Sequence, residues 1–174
     1  MINFQHNHFE LFDLPQRFHL DLARMDEAYR GIQSQVHPDR FVQASDAERR
    51  ASMQSATQVN EAYRTLKNPL ARARYLLALR GVDIGSEDNT AMPAEFLQQQ
   101  MQWRESVEEA ANRPEALAAL ARRLAGEMKD HYTELERRLD RDGDDARAAG
   151  SVRKLMFLER LREEIGDAIE RADA

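Results

Sequence analysis

The five prolines of this 174-residue chain constrain its fold more than any other feature. Proline lacks a backbone donor and biases the residue before it away from the helical region, so it ends a helix or sits in its first turn. Pro15 and Pro38 follow runs of helical period and read as stops. Pro69, Pro93 and Pro114 precede such runs and read as starts. Between these marks apolar residues recur at steps of three and four, the period of an amphipathic helix. Leu, Ala, Glu, Arg and Gln, all good helix formers, dominate the composition. The expected fold class is all-α.

Taken in order, a short helix over about 7–14 carries Phe9, Leu11 and Phe12. A second over 22–36 has Asp21 as N-cap and one face of Leu22, Met25, Tyr29, Ile32 and Val36. A third over 46–67 begins with the Ser-x-x-Glu capping box Ser45–Glu48 and has the apolar face Ala56, Val59, Ala62, Tyr63 and Leu66. Two amphipathic helices joined by a short loop fold back as an antiparallel pair, which puts His37-Pro38-Asp39 at the tip of a hairpin. A fourth helix runs from Pro69 through Ala73, Leu76, Leu77 and Leu79 to a Gly81 C-cap. Helical period then lapses over 81–91, where Gly81, Gly85, Ser86, Asp88, Asn89 and Thr90 cluster. Three more helices follow. The first spans about 93–112. The second, from Pro114, carries Leu117, Leu120, Leu124, Met128, Leu135 and Leu139. After the turn Asp142-Gly143-Asp144, the third carries Val152, Leu155, Leu158, Leu161, Ile165 and Ile169. Short turns between amphipathic helices make an antiparallel bundle. The expected domains are 1–80, a connecting segment 81–91, and a three-helix domain 92–174. Gly31, inside the second helix, costs about 1 kcal/mol against Ala for no reason visible in the sequence.

Several chemistries are excluded. The chain has no cysteine, so it holds no disulfide, thiol nucleophile or thiolate metal site. His6 and His8 lack further ligands and read as a solvated end, so no metal site and no cofactor are expected. No stretch approaches the eighteen or so apolar residues of a membrane span. The start, Met1-Ile2-Asn3-Phe4-Gln5, has neither the basic nor the apolar part of a signal peptide, and a cytoplasmic protein is expected. The net charge of −6 is uneven. Residues 1–80 carry 11 Lys and Arg against 9 Asp and Glu, whereas 81–174 carry 14 against 22. The acidic half argues against nucleic acid, whose phosphates need basic surfaces; the two halves point to different partners.

Two places could carry function. Proline holds His37 and Asp39 in one shape at an exposed tip, and function concentrates on loops that a scaffold holds still. As an acid–base dyad they would need a nucleophile and oxyanion donors, and none is identifiable nearby in sequence. In the helix after Pro93, Phe96, Trp103, Val107 and Ala110 fit a core stripe. Leu97, Met101, Glu105 and Glu109, four apart, form a second stripe about 100° round. Either the apolar pair widens the core stripe, or it is a binding surface with anchors beside steering charge.

The aromatic segment His8-Phe9-Glu10-Leu11-Phe12-Asp13-Leu14-Pro15, the hairpin with its His-Pro-Asp tip, and Val59-Asn60-Glu61-Ala62-Tyr63-Arg64-Thr65-Leu66-Lys67-Asn68-Pro69 together resemble the J-domain, by which co-chaperones stimulate DnaK-type ATPases. General J-domains run on into Arg-Ala-x-Tyr-Asp. Here Leu70-Ala71-Arg72-Ala73-Arg74-Tyr75-Leu76-Leu77 continues the helix, and this variant resembles the HscB family, the J-proteins of iron–sulfur cluster biogenesis, over essentially the whole chain. The resemblance implies a non-enzymatic co-chaperone with two protein partners, a DnaK/HscA-type ATPase chaperone and an IscU-type scaffold. It assigns His37, Pro38, Asp39 and Arg40, with Arg24 and Arg30, to the chaperone. The scaffold residues would be Leu97, Gln98, Met101, Gln102, Glu105, Glu109 and Phe157, the last lying at the edge of its helix's apolar stripe and expected to complete one exposed patch. Gln98 and Gln102 depart from the Met and Glu of some relatives, and Gly31, Gln33 and Gln35 thin the basic face usual on the second J-domain helix. The cysteine zinc module that some members carry is absent. The alternative is a J-domain adaptor for a different client.

Overall fold

The computed structural model describes residues 6–41, 44–85 and 93–172, which are helices and their connections with no strand among them. The chain divides into two compact units, Met1–Leu79 and Arg80–Ala174.

The first unit opens with α1 (His8–Leu11), fixed by a capping box. Asn7 Oδ1 accepts the N–H groups of Phe9 and Glu10, and the Glu10 carboxylate accepts that of Asn7 at 2.9 Å. The helix stops short of the expected Leu14 because Asp13 takes a left-handed φ of 51°. The chain beyond it still enters the core through Phe12, Leu14, Phe18 and Leu20, while Leu11 is only partly buried. Helix α2 (Leu22–Val36) starts where Asp21 accepts the Arg24 N–H. Helix α3 (Asp46–Lys67) starts at the Ser45–Glu48 box. The two run antiparallel, since Val36 meets Ser52, Tyr29 meets Asn60 and Asp26 meets Lys67. That register corrects one expectation. Leu22 lies a turn beyond Asp26, past the end of α3, and is 41% exposed rather than part of the buried face. A Cβ added at Gly31 would meet nothing within 4 Å, so no close approach requires that glycine.

Helix α4 (Pro69–Leu79) turns back beneath α3. The corner is held by Arg72, whose buried guanidinium donates to Leu66 O at 2.8 Å and lies 4.9 Å from the Phe18 ring. A buried charge is tolerated only when hydrogen-bonded or paired, and here a helix-end carbonyl and an aromatic face receive it. Ala73, Leu76 and Leu77 are buried, but Leu79, expected with them, is 40% exposed at the end of the unit.

In the second unit, α5 (Ala94–Ala110) and α6 (Pro114–Arg137) are antiparallel, with Gln99 on Glu127 and Trp103 beneath Arg123. One π turn, Arg138–Asp142, and Gly143 at φ 64° lead into α7 (Asp145–Ala172). This helix returns antiparallel to α6, Arg138 meeting Ser151 and Tyr132 meeting Glu159. Half of the expected connection, residues 81–85, belongs to this unit: Arg153 donates to Ile84 O at 3.0 Å, and the preceding Arg80 pairs with Asp145 at 2.6 Å. Residues 86–92 lie outside the described set.

The α6–α7 corner is also an electrostatic joint. Glu134 accepts from Arg137 and Arg138, and Arg137 reaches Asp142 at 2.6 Å. The Arg137 hydrogen bond first, with Arg138 and against some desolvation, holds the Glu134 carboxyl at about 2 instead of 4.5. A carboxylate depressed by folding stabilises above its unfolded pKa and loses that contribution as pH falls through the folded one. Thermal melts should therefore show the second unit losing stability between pH 4.5 and about 2. Glu134→Gln should flatten that stretch of the profile; an unchanged profile would remove the joint from the acid response.

Candidate functional site

The hairpin tip is built as its sequence dictates. Pro38 forces His37 out of the helix, to φ −60° and ψ 129°, and Pro38–Phe41 forms one 3-10 turn. Arg40 N donates to His37 O at 3.0 Å. Asp39 N donates to His37 Nδ1 at 3.3 Å, and an Asp39 carboxylate oxygen stands 3.5 Å from that same nitrogen. Nδ1 is thus engaged inside the turn, and Nε2 is the ring nitrogen left for a partner. The His37 and Asp39 side chains are 52% and 85% exposed. Arg40 reaches back to Ser34 O at 3.2 Å.

Two braces hold this turn. Near the tip, the buried Ser52 hydroxyl donates to Val36 O at 2.7 Å, satisfying a carbonyl that the end of α2 leaves open. At the base, Lys67 and Tyr63 both donate to Asp26 Oδ1, and Tyr29 stacks on Tyr63 at 4.0 Å. The hydrogen bond from Lys67, then that from Tyr63, keeps the Asp26 carboxyl below its ordinary range. Sequence reading missed Ser52. The signal was a serine on the apolar stripe Ser52–Ser55–Val59–Ala62–Leu66, where a hydroxyl must find an acceptor. Ser52→Ala should cost about 1–2 kcal/mol by leaving that carbonyl unpaired. It should also speed amide exchange at 37–41 more than at the base, read by hydrogen exchange; uniform exchange would deny Ser52 a local role.

The expected basic face is thinner still. Arg24 donates to both the backbone oxygen and the carboxylate of Asp13, each at 3.2 Å, so its charge is spent pinning the α1–α2 connection. Arg30 is exposed on α2, its charge felt by Asp26.

On α5 the two stripes separate cleanly. Phe96, Trp103 and Ala110 are buried and Val107 partly so, whereas Leu97 and Met101 are 49% and 63% exposed. Gln98, Gln102, Glu105 and Glu109 are exposed around them. The apolar pair therefore does not widen the core stripe. Phe157 is a correction. It is 8% exposed and packs edge-on against Phe96, ring centroids 5.7 Å apart, in one cluster with Trp103, Leu124, Met128 and Leu161. Helix α7 packs on both α5 and α6, so its buried arc is wider than one stripe, and a residue at the stripe's edge is covered by α5. Between Phe96, Gln98, Gln102 and Lys154 lies an open groove of about 440 Å³ that the sequence did not disclose.

A helical hairpin with an exposed His-Pro-Asp turn, closed by α1 and α4 and followed by a helical bundle, defines a J-domain protein with a second helical unit. Residues 92–166 match the family described as the HSCB C-terminal oligomerisation domain. The chain is 53% identical over 175 residues to the co-chaperone protein HscB homolog of Paraburkholderia phymatum, covering 99% of each. Among solved structures it is similar to chaperone HscB from Vibrio cholerae, with a TM-score of 0.85 and 33% identity over 96% of this chain and 99% of that one. It is also similar to human co-chaperone HscB, with a TM-score of 0.90 and 29% identity over 94% of this chain and 82% of that one. The chain belongs to the HscB family of J-domain co-chaperones.

Proposed function

We propose that this chain stimulates ATP hydrolysis by a DnaK/HscA-type chaperone and delivers to it an IscU-type scaffold of iron–sulfur cluster assembly. The observation that carries the reading is the exposed, doubly braced His37–Asp39 turn, with Arg40 and Arg30 nearby and Arg24 set back on Asp13. Leu97 and Met101 support the second half, because exposed apolar anchors beside carboxylates suit capture of a protein. Glu105 and Glu109 steer, Gln98 and Gln102 flank, and Phe157 acts from below by seating Phe96. The chain does no covalent chemistry; it couples one partner's arrival to another's hydrolysis. In this reading 1–80 is the J-domain, 81–91 a connecting segment and 92–174 the scaffold-binding domain, and the place of action is the cytoplasm; among the described residues no helix is long and apolar enough to cross a membrane.

The test is a single-turnover ATPase assay with purified chaperone, full-length chain and scaffold. The chain alone should raise hydrolysis and the scaffold should raise it further. Stimulation that the scaffold leaves unchanged would point to an adaptor for a different client; no stimulation at all would overturn the reading.

A further inference from the structure

The groove between α5 and α7 holds one cation, Lys154. Its ammonium lies 5.6 Å from the centroid of the Phe96 ring, and the residue is partly buried, so the charge is seated on an aromatic face of the helix that also carries the exposed Leu97–Met101 pair. Among the described residues no carboxylate forms an ion pair with it. Glu127 accepts a hydrogen bond from Gln99 and stands 3.8 Å from His131, and Glu95, at the mouth of the groove, forms no ion pair with Lys154. Of the other polar side chains lining the groove, Gln98, Gln99 and Gln102 are neutral amides that donate as well as accept, and Glu95 is a carboxylate. In a half of the chain that carries 22 acidic against 14 basic residues, this is a cation with no ion pair among the described residues. An ammonium and neutral amides beside an aromatic ring are the donors that a carboxylate needs.

We propose that Lys154 is a specificity-determining contact, receiving an Asp or Glu side chain of the scaffold protein in this groove while Leu97 and Met101 take its apolar surface. The proposal rests on the reading that this face of α5 captures the scaffold. A carboxylate from a partner gains a partly desolvated cation and two amide donors, whereas an apolar or basic side chain at the same place leaves Lys154 unpaired. Discrimination then comes from both the attraction and the penalty.

The experiment measures affinity of the full-length chain for the purified scaffold by calorimetry, at low and high salt, with basal ATPase stimulation as the fold control. Lys154→Met keeps the apolar stem over Phe96 and removes the charge. It should weaken binding about fivefold to tenfold and flatten the salt dependence, because a paired charge is lost at the interface. Lys154→Arg should stay within about twofold, since the charge and its place on the ring are kept. Lys154→Met binding within about twofold of wild type, or weakened equally at every salt concentration, overturns the proposal. A Leu97→Ala/Met101→Ala chain serves as the reference. If it loses binding while Lys154→Met does not, the capture face stands and only the carboxylate contact fails; if it binds as wild type, the capture face itself is wrong and the proposal falls with it.

Discussion

Replacing His37 by glutamine should reduce chaperone stimulation to the chaperone's own basal rate while leaving the fold intact. The imidazole is half exposed, and its contacts within the turn are both with Asp39, whose N–H it accepts and whose carboxylate stands 3.5 Å from Nδ1. Water can replace that acceptor, so the change should shift stability by about 0.5 kcal/mol or less, as for other exposed sites. The Ser52 and Asp26 braces do not involve the ring and should hold the hairpin unchanged. What is lost is a planar ring that the Asp39 contacts at Nδ1 hold in one orientation, with Nε2 presented to a partner, which a flexible amide does not reproduce. A single-turnover assay and a thermal melt on the same protein separate the two effects. Near-wild-type stimulation would take His37 out of the chaperone contact, and a melting temperature well below wild type would show that the ring has a structural part.

The second large effect is expected on α5. Leu97→Ala together with Met101→Ala should cost about 1–4 kcal/mol of scaffold binding for each anchor that is a hot spot. Stability should change little, since 49% and 63% exposure leave little buried area to lose. Phe157→Ala behaves differently. It removes the ring under Phe96, and a buried Phe truncation costs about 3–5 kcal/mol of stability, so any binding loss would come with a lower melting temperature. Glu105 and Glu109 are exposed and should act mainly on association rate and its salt dependence. Melting temperature, affinity and basal ATPase stimulation, measured on each variant, distinguish anchor from core. Scaffold affinity unchanged in the double variant would withdraw the binding-face assignment.

Most of the helical pattern was readable in the sequence because it is written in local chemistry. Pro38, Pro69, Asp21 and the Ser45–Glu48 box each act within a few residues of themselves, and α2, α3 and α4 begin where those residues place them. The misses depend on what lies across space. Leu22 has the right period but stays 41% exposed, since α3 ends a turn too early. Phe157 sits at the edge of one helix's stripe and is buried by a different helix. Ser52, Arg72 and Lys154 looked like ordinary polar positions; their partners are a carbonyl sixteen residues away, a helix-end carbonyl with an aromatic ring, and a ring on another helix. The tip was legible for a related reason, since exposure follows from a turn; periodicity left the Leu97–Met101 pair open, and its 49% and 63% exposure decides it.

The hairpin's two braces also bear on how binding heat and entropy divide. A loop that must be ordered by its partner loses conformational freedom at the moment of contact, and that loss subtracts from affinity. Here Ser52 has already fixed the end of α2, and Asp26, Tyr63 and Lys67 have fixed the hairpin at its other end, before any chaperone arrives. The ordering entropy of the turn is charged to the folding of this chain and not to the encounter, so a weak, short-lived complex can still be a specific one.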